Sequence, residues 1–285
     1  MATSAAELSG SAPPAEPLKG GDTVYRHRLS TRLWHWINAV AITFMLGSGL
    51  MIFNAHPRLY WGAAGANADH PWLEIGATRT SGYLRVGRVK LDTTGLLGRS
   101  RGFDGQERTY AFPDWAAAPG VYDLAGGRRW HFAFAWLLVI PGLAFWLFSF
   151  ANGHFRRDLR LTGSELRPAN LWHDVKQHAR LRFPTGAAAR DYNVLQKLSY
   201  VALIFVFLPL MVLTGLAMSP GMDAGWPWLL TLLGGRQSAR SLHFIVAMAI
   251  LGFIVVHLLM VLLAGPINEV RSMITGRYKL PEDQR

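Results

Sequence analysis

Four stretches of this chain, residues 33–53, 130–150, 198–218 and 241–264, each run for about a membrane's thickness without one Lys, Arg, Asp or Glu. A helix needs roughly 20 apolar residues to cross the hydrocarbon core, and buried helices of soluble proteins rarely stay uncharged that long. The chain therefore reads as an all-α integral membrane protein, a four-transmembrane-helix bundle whose solvent is membrane lipid. A long loop, about residues 54–129, joins the first two spans.

The formal net charge is +11, yet only 16% of residues are charged. Lys and Arg number 17 before the first span, between the second and third, and after the fourth, against 12 on the other side; ten of those 12 lie in the long first loop, which also holds seven acidic residues and weighs less in orientation. That pattern predicts a multi-pass protein of a bacterial inner (plasma) membrane. Both termini are then cytoplasmic and the long first loop is non-cytoplasmic. It accounts for the charge without a nucleic-acid partner. Residues 1–22, rich in Ala, Ser, Pro and Gly, lack the apolar core of a cleavable signal peptide and read as a disordered tail. Residues 23–265 form the transmembrane domain, and 266–285 form a cytoplasmic surface segment.

Within the long loop, GYLRVGRVKLD and ERTYAFPDW alternate in strand fashion between glycines. Loops this long usually have a function of their own, and the aromatic and arginine content favours a folded docking cap. LWHDVKQHARLRF resembles an amphipathic helix on the headgroups, and NEVRSMITGRYKL a second surface helix. WPWLLTLL is too short to span and reads as interfacial. Pro141 and Pro209 are expected to kink their helices. No internal repeat is visible.

Of ten histidines, His27, His56, His70, His154, His173 and His178 lie outside the spans and have ordinary surface explanations. His35, His131, His243 and His257 lie inside, where a polar ring is costly and marks function. His243 and His257 are fourteen residues apart on one helix, roughly 21 Å along its axis and within about 40° of the same face. Alternating topology puts His35 and His257 at the cytoplasmic level, and His131 and His243 at the other. Two stacked two-histidine sites follow.

Zinc typically takes four ligands, and the spans contain no carboxylate or thiolate to complete such a set. Haem brings four equatorial nitrogens and asks for two axial ligands. Two haems, half a bilayer apart, would carry electrons across the membrane; a proton relay gives no reason for pairing by depth. The chain has no cysteine, which excludes thiolate-held iron–sulfur clusters, covalently attached haem, disulfides and a cysteine nucleophile. Arg32, Arg128, Arg129 and Arg240 flank the histidines as propionate partners or headgroup anchors. Gly47, Gly49, Gly142, Gly215 and Gly252 would admit a flat macrocycle or serve helix packing.

RLWHW in the first span, RRWHF opening the second, and RSLHF with His257 fourteen positions beyond its histidine together resemble the bacterial cytochrome b561-like di-haem family. That family includes the membrane cytochrome b subunits of nickel–iron hydrogenase, formate dehydrogenase and thiosulfate reductase. The resemblance implies two haem b on His35, His131, His243 and His257, and quinone chemistry near the cytoplasmic haem. YNVLQK is similar to a family segment at that site and brings in Asn193, Gln196 and Lys197, for which helix capping and interface polarity are the competing account. The long loop, with HPRLYWG and FPDW, looks most like members associated with periplasmic molybdopterin-dependent oxidoreductases. The expected function is electron transfer between the quinone pool and a periplasmic redox partner. The alternatives are a stand-alone quinone-linked oxidase of a small oxidant such as superoxide, and a haem-free membrane sensor or scaffold.

Overall fold

In a computed structural model, the chain is described over residues 19–66, 68–153, 155, 161–163, 165–180 and 194–281. Four helices are long and apolar enough to cross a membrane: α1 (Leu29–Phe53), α2 (Leu124–Ala151), α4 (Val194–Ala217) and α7 (Arg236–Ala264). Each starts a few residues before its apolar run. Those first turns are polar and helical, and they extend the helix beyond the stretch that lipid must surround. The side chain of Asp123 caps α2 by accepting from Gly126 N at 2.9 Å. Much of the apolar surface points outward, with Trp136, Ile140, Leu147 and Leu262 all exposed. This is the arrangement expected of side chains whose neighbours are acyl chains rather than a protein core.

The helices pair as two hairpins, α1 along α2 and α4 along α7. In the first, Trp34 stacks on Phe145 and Phe44 on Phe134, with ring centroids 4.1 and 4.4 Å apart. Gly127 is needed for this approach, because a Cβ there would stand 2.7 Å from Cγ of the fully buried Met51. Pro141 sits inside the continuous α2. Pro209 acts more visibly. It offers no N–H and its ring crowds the carbonyl four residues back. The preceding turn, Leu203–Phe207, is π-helical, and Leu208 N donates to Leu203 O. A π-bulge of this kind takes up one extra residue per turn.

The all-α expectation is too narrow. Between α1 and α2, strands β2 (Arg58–Leu59), β3 (Leu73–Ala77), β4 (Gly82–Val86) and β5 (Val89–Asp92) form an antiparallel sheet in that order. The segment GYLRVGRVKLD is the β4–β5 hairpin, with Tyr83 opposite Asp92 and Val86 opposite Val89. ERTYAFPDW contributes only the short β7 (Glu107–Arg108), paired with β6 (Ser100–Arg101). Glu74, almost fully buried, is held there by Arg58 at 2.9 Å, by Arg85 and by the Tyr83 hydroxyl. A buried carboxylate without such partners would cost several kcal/mol.

This cap is fastened to the first turns of α7. Gly62 O accepts from Gln237 N and Ser238 N, both at 3.1 Å. Ser238 Oγ accepts from Gly62 N at 2.7 Å. Trp72 Nε1 donates to Ser241 Oγ at 3.0 Å, and that hydroxyl donates to Tyr60 O at 2.6 Å. Phe53, Leu59, Ile75 and Ala111 form the core beneath, with Phe244 of α7 packed against them.

At the opposite end, β1 (Thr23–Tyr25) pairs with β8 (Arg277–Lys279), and the two strands form one clamp. Of the expected tail, residues 1–18 lie outside the described residues. Lys19 to Asp22 form a turn, with Gly21 N donating to Leu280 O at 2.9 Å. The amphipathic segments are helical as α3 (Pro168–Ala179) and α8 (Pro266–Thr275), and two short helices, α5 (Pro220–Gly225) and α6 (Pro227–Leu232), join α4 to α7.

Candidate functional site

The four intraspan histidines meet in two pairs. His35 and His257 face each other with ring centroids 6.3 Å apart and planes at 59°. His131 and His243 do so at 6.2 Å and 60°. The first pair joins the beginning of α1 to the later part of α7, on the side of the terminal clamp. The second joins the beginnings of α2 and α7, on the side of the cap. Depth along each helix fixes this partition, and the helix pairing completes it.

The cap-side pair is anchored from behind. His131 Nδ1 donates to Met45 O at 3.2 Å, since a carbonyl only accepts. Ser48 Oγ lies 3.1 Å from the same nitrogen and donates its own proton to Phe44 O at 2.6 Å. On the other hairpin, Thr214 Oγ1 lies 2.9 Å from His243 Nδ1 and donates to Leu210 O at 2.6 Å. Both hydroxyls are fully buried. Each precedes a glycine whose backbone faces the ring: a Cβ on Gly49 would be 3.5 Å from His131 Cε1, and one on Gly215 would be 3.6 Å from His243 Cε1. The hairpins thus repeat one local device, a small hydroxyl residue followed by Gly-Leu in each. At the clamp-side pair, His35 Nδ1 is buried without a hydrogen-bond partner, and Phe253 stacks on His257 at 5.7 Å.

The flanking candidates have varied surroundings. Arg240 donates to the carbonyls of Arg58, at 2.9 Å, and His56, tying the cap to α7. Arg32 donates to Ile274 O at 2.7 Å, tying α1 to α8. Arg128 and Arg129 are exposed at the start of α2. Gln196 is half-buried, and Lys197 is paired with Glu165 at 2.7 Å. Asn193 and His154 lie outside the described residues, as does the side chain of His178. A cavity of about 270 Å³ beside the start of α4 is lined by Glu165, Asn170, His173, Asp174 and Val194. Among the glycines, Gly47 packs on Ala118, Gly142 approaches the Trp34 indole, and Gly252 opens outward with nothing near it. Gly252 is exposed and lies about 180° around α7 from His243.

One surface assignment is corrected. His27 is buried under the β1–β8 clamp, and its N–H donates to Gly276 O at 3.3 Å. Burial first, then the charges of Arg26, His35 and Arg32, push its ring down to about 4. His56 is also shifted down, by burial and then by Arg240 and Arg58.

Among the described residues, no group of three or more His, Asp or Glu is arranged to hold a metal ion. What the fold and site define is a four-span membrane protein with pairs of intramembrane histidines at two depths. Residues 26–276 match the model of the prokaryotic cytochrome b561 family, and the chain belongs to that family. It is thereby a membrane b-type cytochrome of electron transfer, with haem b as the cofactor that membership implies, and the haem-free alternative falls. Over 156 residues the chain is 33% identical to a protein named as a protein-methionine-sulfoxide reductase subunit, YedZ1, from Azospira oryzae; the match covers 54% of this chain and 72% of the relative. No solved structure matches the chain.

Proposed function

We propose that this cytochrome holds two b haems, one between His35 and His257 and one between His131 and His243, and passes electrons between a quinone on the clamp side and an oxidoreductase on the cap side. The observation that carries this is the separation of the two ring pairs, 6.3 and 6.2 Å between centroids. A gap of this width would let His35 with His257, and His131 with His243, each hold one haem iron through imidazole nitrogens. Directly hydrogen-bonded imidazoles would sit at a different spacing, with one nitrogen donating to the other. At the cap-side pair the Nδ1 protons point away into Met45 O and the hydroxyls, which leaves the Nε2 lone pairs for the gap. Such outer hydrogen bonds fix ring tautomer and raise ligand basicity.

A haem held by each histidine pair would supply one-electron carriage. The histidines on α7 set the two levels roughly 21 Å apart along the helix. The quinone reading rests on the resemblance around Gln196 and Asn193, and on the nearby cavity lined by Glu165 and His173. The partner reading rests on the cap, which is fastened over the cap-side pair. The name of the Azospira relative, a reductase subunit, supports it. A molybdopterin-containing periplasmic partner fits the long-loop resemblance, with both termini cytoplasmic. A small oxidant such as superoxide would gain nothing from a folded docking surface.

The test is haem quantification per chain together with a reduced-minus-oxidised spectrum. Two haems per chain are expected, one remaining after His243→Ala and one after His257→Ala. A folded wild-type protein with a single haem, or either substitution abolishing both, would defeat the two-pair assignment. Quinol oxidation should cease with His257→Ala; its survival would move the quinone elsewhere.

A further inference from the structure

We infer that Ser48 and Thr214 are positioning residues that set the redox potential of the cap-side haem apart from that of the clamp-side one. This rests on the two-haem reading above and deepens it.

Both hydroxyls sit within the apolar runs of their helices and are fully buried. A buried hydroxyl must be hydrogen-bonded to be tolerated. Each meets that need in the same way. Its proton goes to the carbonyl four residues earlier, Phe44 or Leu210, both at 2.6 Å. With the proton committed there, the oxygen offers only lone pairs in the other direction. Those lone pairs meet His131 Nδ1 at 3.1 Å and His243 Nδ1 at 2.9 Å. The Met45 carbonyl lies 3.2 Å from the same His131 nitrogen. Each ring therefore carries its proton on Nδ1 and presents Nε2 to its partner.

The same arrangement stands behind both rings of the cap-side pair, and packing alone gives no reason for it. A packing role would be met equally by Ala or Val, which impose no tautomer. The clamp-side pair lacks this support: His35 Nδ1 has no hydrogen-bond partner. An Nδ1–H that donates to strong acceptors makes imidazole a stronger electron donor, and a stronger axial donor favours the oxidised metal. The cap-side haem should therefore hold its electron less tightly than its axial histidines alone would dictate.

The experiment is a spectroelectrochemical titration of the full-length protein with both haems bound, comparing wild type with Ser48→Ala/Thr214→Val. One of the two redox components is expected to rise by about tenfold in its reduction equilibrium, equivalent to roughly 59 mV for one electron, while the other stays in place. Ser48→Thr and Thr214→Ser, which keep the hydroxyls, should leave both components unmoved. Should the double variant fail to retain haem, each single substitution is expected to shift the same component upward by less. Neither component moving, or both moving together, would overturn the inference while leaving the two-haem reading intact. A wild-type stoichiometry of one haem would instead overturn the reading beneath it.

Discussion

A histidine inside a bilayer tells its function by depth, and a histidine just outside it tells little until its neighbours are known. His27 is the example. Its position before α1 reads as ordinary surface, yet the clamp buries it and holds its ring near 4. An unfolded His titrates near 6.5, so between about 6.5 and 4 the opened chain binds more protons than the closed one. The stability that the neutral ring confers is complete above pH 6.5 and is lost as pH falls through that window. Hydrogen exchange at Thr23–Tyr25 and Arg277–Lys279, corrected for intrinsic rate, should be slow at pH 7.5 and markedly faster at pH 4.5. His27→Gln should flatten that dependence. If wild-type protection were equal at both pH values, the ring would not be controlling the clamp.

At the scale of elements, the cap and the long helix α7 form one unit. Ser241 accepts from the Trp72 indole and donates to Tyr60 O, so Ser241→Ala removes two bonds and strands two partners. Leaving buried groups unpaired costs about 1–3 kcal/mol each. The expected result is faster limited proteolysis within residues 54–123, with haem content retained. Unchanged cleavage would mean that Arg240 and the Gly62 contacts suffice. The short runs of alternation in GYLRVGRVKLD were enough to place β4 and β5, because a hairpin is local. The fastening of that sheet was not legible, since nothing in HPRLYWG states that Gly62 O will receive Gln237 N and Ser238 N. The π-turn before Pro209 was also only half legible: the proline forecasts a disturbance, and its neighbours choose its form.

At the scale of the whole molecule, the β1–β8 clamp sits at one face of the bundle and the four-stranded sheet at the other, with the paired histidines between. Because the chain has no cysteine, its orientation is open to a direct test. A membrane-impermeant thiol reagent applied to intact cells should label Thr80→Cys on the cap and spare Thr275→Cys at the end of α8. The reverse pattern would invert the proposed topology and put the cap in the cytoplasm. The sequence by itself determined the four spans, because uncharged length is a property of the chain alone. It also determined the depths of the four histidines, since rise per residue and alternating direction convert position into level. Only the tertiary structure decided what stands behind those rings. Ser48 and Thr214 resemble any small residue in an apolar helix, and their contact with His131 and His243 depends on how two helices are set against each other, a relation between distant segments that no local pattern encodes.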